Sequence, residues 1–183
     1  LLFDDLVMLD ELEGEMQVIV LDDGVVKLLN TTYNPYAIRL GPSGSEEATM
    51  IAAGGRSVAW VSSESPTTVT VSSLDGPTHS VTVELNVTVD SLFDAQVELL
   101  TGTAVDYVNA SVREVVLAEG WLAAVVNVSA VDRLVLVDLD SGEQRILGDP
   151  LFPVADPSLG YGHVAWQHQQ FLNSLDPTEE TLD

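Results

Sequence analysis

Residues 134–147 read LVLVDLDSGEQRIL. Leu134 to Val137 are four consecutive apolar residues, two of them β-branched, which suits a buried strand. Asp140-Ser141-Gly142 follows as a turn in which Gly142 takes positive φ without steric cost. Gln144 to Leu147 returns as the second strand. Two similar stretches lie upstream. Gln17 to Asp22 meets Asp23-Gly24 and continues as Val25 to Leu29. Val69 to Leu74 meets Asp75-Gly76 and continues as Ser80 to Leu85. Asp-Gly between β-rich runs is a strong hairpin signal. The three Leu-Asp/Gly corners are therefore expected to be equivalent pieces of a repeated unit.

A further strand precedes each hairpin. Arg56 to Val61, Trp121 to Val126 and His163 to Trp166 each follow a glycine, and Leu6 to Leu9 fills the first slot. Trp60, Val125 and Trp166 are taken as matched positions. Their spacing brackets the roughly 40–50 residues of a four-stranded propeller blade. The longer interval leaves room for an inserted hairpin at 91–109, with Thr101-Gly102 as its turn; Ser91 to Leu100 is the one stretch with room for a helical turn or two. Val18 to Leu21 and Leu134 to Val137 are apolar on both faces, as expected where sheets stack on each other. The expected fold is all-β, a partial β-propeller of antiparallel blades. A β-sandwich or β-solenoid is the alternative. The blade units fall at approximately 1–34, 35–90, 110–149 and 150–183.

Asp156-Pro157-Ser158-Leu159-Gly160-Tyr161-Gly162-His163-Val164-Ala165-Trp166 resembles the strand-opening motif of TolB-type β-propellers. Val135-Leu136-Val137-Asp138-Leu139-Asp140-Ser141-Gly142-Glu143 resembles another segment of the same blades. The resemblance covers most of 55–76 and 115–167 and, more loosely, 6–30. The N-terminal copy departs from it, having no Val-x-Trp. The resemblance implies a propeller and says little about activity, because such propellers occur in periplasmic, surface and enzyme-appended proteins.

The net charge of −23 comes from 29 acidic and 6 basic residues, and Lys27 is the only lysine. Such a surface repels phosphate backbones, which argues against nucleic-acid binding, and it resists anionic membranes. Acids scattered along the chain fit a solvated surface adapted to high salt, as in a halophilic or marine organism; a surface for cations or a basic partner is the alternative. A hydrophobic fraction of 46% argues against disorder. There is no cysteine, so no disulfide and no thiolate metal site. No apolar run approaches the roughly 20 residues that cross a bilayer as a helix. The first residue is Leu1 and the repeats are incomplete, so the chain is expected to be part of a longer one.

Four asparagines begin Asn-x-Ser/Thr: Asn30, Asn86, Asn109 and Asn127. They are candidate glycosylation acceptors, as on an archaeal-type surface glycoprotein. Alternation of Thr and Ser with Val on strands would produce the same pattern by composition. Tyr36, Arg39 and Asp156 are candidate axis-facing binding residues. The chain has no Gly-x-Ser-x-Gly elbow and no phosphate-binding glycine loop. His163 and His168 are five apart, which puts them on opposite faces of a strand. Asp138-Leu139-Asp140-Ser141-Gly142 lacks the third carboxylate of a calcium loop. No catalytic residue, metal or cofactor is assigned.

The expected function is therefore a non-catalytic propeller module of a secreted or cell-surface protein. It would bind a protein or small ligand and contact the rest of its own longer chain. The competing expectations are a propeller gating a hydrolase or peptidase encoded outside this chain, and a structural or adhesive β-repeat.

Overall fold

The computed structural model describes residues 5–8, 17–30, 36–42, 46–74, 80–118, 120–148, 154–160 and 163–168. Within these, sheets are built by pairing chain neighbours. Strands β1 (Asp5–Met8), β2 (Gln17–Asp22), β3 (Val25–Asn30) and β4 (Tyr36–Gly41) form one antiparallel meander. Strands β5 (Ala48–Gly54), β6 (Ser57–Ser62), β7 (Ser65–Ser73) and β8 (Ser80–Glu84) form a second. Helix α1 (Ser91–Thr101) follows. Strands β9 (Ser111–Ala118), β10 (Trp121–Val128), β11 (Val131–Asp138) and β12 (Gln144–Leu147) form a third meander. Strands β13 (Val154–Gly160) and β14 (His163–His168) form a two-stranded sheet. Among the described residues the chain is all-β, with antiparallel sheets and one short helix.

The chain divides into two compact units, Leu1–Glu84 with Leu117–Glu119, and Leu85–Val116 with Gly120–Asp183. In the first unit, Ile19, Leu21, Val26 and Leu28 from β2 and β3 form one buried cluster with Ala48, Ile51, Val58 and Trp60 from β5 and β6. Gly41 closes β4 beside this cluster. A Cβ added there would lie 2.5 Å from Trp60 Cζ2, so only glycine leaves room for the indole. In the second unit, Ala123, Val125 and Leu134 cluster with Val154, and Leu159, Val164 and Trp166 pack against them. Gly148, just past β12, lies beside Val154 and Trp166. The middle strands are buried on both faces: Val18 to Leu21 and Leu122 to Val126 are all buried. This is the double-faced burial expected of stacked sheets.

Four expectations need correcting. The hairpin placed at 91–109 is instead helix α1 and its flanking segments. Asp90 caps it, accepting N–H bonds from Leu92 and Phe93. Gly102, read as a hairpin corner, is the left-handed residue ending the helix, at φ 71°. Phe93 and Val97, four apart, bury one helical face, and that spacing overrides the β propensity of nearby residues.

Tyr36 to Leu40, expected as a strand of the second blade at 35–90, instead lies in β4, which pairs with β3 and completes the first sheet. The three corners are also not equivalent. Asp23-Gly24 joins the second and third strands of its sheet. Leu74 and Asp140-Ser141-Gly142 fall between third and fourth strands. The Asp75-Gly76 turn itself lies outside the described residues.

Finally, the matched positions shift by one residue. Trp60, Ala124 and Trp166 are each the fourth residue of their sheet's second strand. Val125 belongs to the opposite face, because a slip of one residue reverses a strand's side chains.

The β10–β11 turn is Ser129-Ala130, with φ of 52° and 65°. Positive φ at both positions is the mirror-image turn that suits strand twist, and it favours Asn or Gly. The matched β2–β3 turn has Gly24 at its second position, whereas here an exposed alanine bears the steric cost. Ala130→Gly is expected to raise stability by about 0.5–1 kcal/mol, read from urea unfolding. No change, or a loss, would show that the turn carries no strain.

Candidate functional site

A cluster of polar contacts surrounds α1 in the second unit. Arg133 stands on β11 opposite Val126 and is only 8% exposed. Its guanidinium lies 4.2 Å from the centre of the Phe93 ring, a distance at which a cation is attracted to the ring face. Its Nη2 is 3.6 Å from Asp90 Oδ2. Its Nη1 is buried and makes no hydrogen bond. One arginine thus ties the sheet to the cap and first turn of the helix.

Tyr107 holds the same helix from another side. Its hydroxyl donates to Asp94 Oδ1 at 2.6 Å and accepts from the Asp90 N–H at 3.2 Å. Burial, then the bond to Asp94, pushes the phenol's pKa up, so the hydroxyl keeps its proton at neutral pH. Next to it, Asp106 accepts from the Asn109 side chain at 2.6 Å and from the Val108 and Asn109 N–H groups. The Asn109 side-chain bond is the main reason its carboxyl is held below the ordinary range. These contacts fix a helix and a turn. Among these described contacts no nucleophile is paired with a base.

Glu114 on β9 is different in kind. Partial burial pushes its pKa up, and the negative charge of Asp156 adds to this. A bond from the Asp156 backbone N–H offsets only part of the effect. A carboxyl raised in the fold stabilises below its unfolded value and loses that contribution as pH rises through the folded value. Glu114→Gln is therefore expected to stabilise the protein at neutral pH. The gain should shrink on acidification and vanish below the ordinary glutamate value of 4.5. Urea titrations at neutral and acidic pH measure this; a gain independent of pH would contradict it.

The candidate acceptors differ in setting. Asn86 is exposed in the segment after β8, and its backbone N–H donates to Gln144 Oε1. Asn109 is exposed but its amide is bonded to Asp106. Asn127 is half-buried within β10, and its amide donates to Asp132 on the neighbouring strand. Asn30 ends β3, and its side chain lies outside the described residues.

The candidate binding residues divide between the two units. Tyr36 opens β4 and its side chain is outside the described residues. Arg39, on the same strand, is exposed and donates from Nε and Nη2 to the Pro42 carbonyl, at 3.2 and 2.6 Å. Asp156, in the second unit, is exposed at φ 49° where the β13–β14 register shifts. Among the described residues no group of three or more His, Asp or Glu is placed to hold a metal ion. No described helix is long and apolar enough to cross a membrane.

Sequence reading allowed a helical turn or two within Ser91 to Leu100, and helix α1 lies there, but it did not foresee the cluster around it. Its signal was present: Asp90 as cap, Phe93 and Val97 four apart, and Gly102 at the end. No protein-family model matches the chain, and no curated protein matches it.

Proposed function

We propose that this chain is a non-catalytic β-propeller module of a secreted or cell-surface protein, made of repeated sheets and serving to bind another molecule. One observation carries this reading. In each unit, a tryptophan at the fourth position of a sheet's second strand packs toward the preceding sheet, beside a glycine at or just past that sheet's last strand. Trp60 and Gly41 make this joint in the first unit, and Trp166 and Gly148 make it in the second. A contact repeated with the same parts favours a repeat over a sandwich, whose two sheets would meet once.

The binding role is supported by polar groups engaged in structural bonds rather than in paired catalytic roles. The acidic composition and the exposed Asn86 fit an exterior setting. The rotation relating successive sheets, read from a crystal structure, tests the architecture. One rotation should carry each sheet onto the next. Two sheets closed on each other without such a rotation would overturn it. A panel of ester, peptide and glycoside substrates tests the function, and turnover by the purified chain would sink the non-catalytic reading.

A further inference from the structure

We infer that the outward face of α1 is the docking surface for a basic amphipathic polypeptide segment of a partner protein; this deepens the binding-module reading and rests on it. The helix needs one apolar stripe to hold it to its own fold, and Phe93 and Val97 supply it. It carries a second. Leu92, Ala95 and Leu99 are spaced three and four apart and form one line along the helix. All three are exposed, Leu92 at 65% and Leu99 at 84%. Val89 before the cap is 74% exposed, and Val108 beyond the helix is 92% exposed. Half of the large apolar residues exposed among the described residues thus fall between Val89 and Val108. On the helix itself Leu92, Ala95 and Leu99 are neighbours, and adjoining exposed apolar residues mark an interaction surface where scattered single ones do not.

Charge selects the occupant. Residues 85–110 contain Asp90, Asp94, Glu98 and Asp106 and no lysine, arginine or histidine. The Arg133 guanidinium that approaches from the sheet is buried beneath the helix and offers no cation outside. Glu98 is exposed beside Ala95 along the stripe. A second copy would bring two acidic faces together, and an anionic membrane would be repelled. The complementary surface presents apolar side chains flanked by lysine or arginine. The caps, Arg133 and Tyr107 hold the helix in place beforehand, which lowers the entropic cost of docking.

The test uses the full chain and a fluorescent synthetic amphipathic peptide of leucine and lysine, titrated by anisotropy. Its counterpart with glutamate for lysine is the control. The lysine peptide is expected to bind saturably, more weakly as salt rises, and the glutamate peptide to show no binding. Leu92→Gln combined with Leu99→Gln should weaken binding about 30-fold. Its thermal midpoint should match that of the wild type, since both side chains are exposed. Glu98→Gln should weaken binding about threefold.

Equal binding by the double variant would show attraction to the acidic surface at large and overturn the proposal, as would the lack of saturable binding. Self-association that the double variant abolishes, seen by sedimentation, would assign the face to a second copy instead. Variant-sensitive binding to phosphatidylcholine vesicles would assign it to lipid. Each of these outcomes leaves the sheet architecture standing, because that is judged by the rotation between sheets.

Discussion

Trp60→Ala is expected to lower the unfolding free energy by about 3–5 kcal/mol, the cost of emptying a large aromatic site in a packed core. The indole is buried among Ile19, Leu21, Val26 and Leu28 of one sheet and Ile51 and Val58 of its own. The space it leaves is bounded by strands on both sides, so collapse into it is restricted. Trp166→Ala removes the matched ring, but that ring is only partly buried. Its loss is expected to cost less, about 1–2 kcal/mol. Urea unfolding followed by far-UV circular dichroism measures both. Equal losses at the two sites, or a loss below about 1 kcal/mol for Trp60, would show that the indole is not what joins the two sheets.

Phe93→Ala is the second large effect, again about 3–5 kcal/mol. Phe93 is wholly buried, and its ring is the face on which the Arg133 guanidinium rests. Truncation opens a cavity and removes the group that offsets burial of a cation, so two costs arise from one change. Arg133→Met should be close to neutral, because it removes the buried charge together with its unmet hydrogen-bonding demand and keeps the packing volume. Leu92→Ala, one residue from Phe93 but exposed, should change stability by no more than about 0.5 kcal/mol. Hydrogen exchange across Leu92 to Thr101 would show the helix released in the phenylalanine variant alone. A loss in Arg133→Met as large as that in Phe93→Ala would mean that the ion pair with Asp90, not the ring, anchors the helix.

The strands were legible because their signals are local. Runs such as Val18 to Leu21 and Leu134 to Val137 are apolar enough to be buried on both faces, and the turns at Asp23-Gly24 and Asp140-Ser141-Gly142 carry their own chemistry. What could not be read was which turn occupies which place in a sheet. Asp23-Gly24 and Asp140-Ser141-Gly142 look alike as sequence, yet one joins second to third strand and the other third to fourth. That choice is made by pairing partners such as Tyr36–Gly41, whose β pattern is brief.

Helix α1 was legible only as room for a helical turn or two within Ser91 to Leu100, for a related reason. Its residues alternate in no β-like way, but β-rich segments on either side and a glycine after Thr101 invited a hairpin reading. The Arg133–Phe93 contact joins residues far apart in sequence, and no spacing rule announces such a pair. The acceptor asparagines were visible as motifs, but their different surroundings were not. Only tertiary structure exposes Asn86 and ties Asn127 to Asp132.

Pairing confined to successive strands also bears on how quickly the molecule assembles. Each meander joins segments already near one another along the polymer, so closing each hairpin costs little configurational freedom. Barriers rise when remote segments must find each other first, and within these sheets none must. The sheets should therefore form early and fast for a β-rich protein, leaving the tryptophan–glycine joints as the later, slower step.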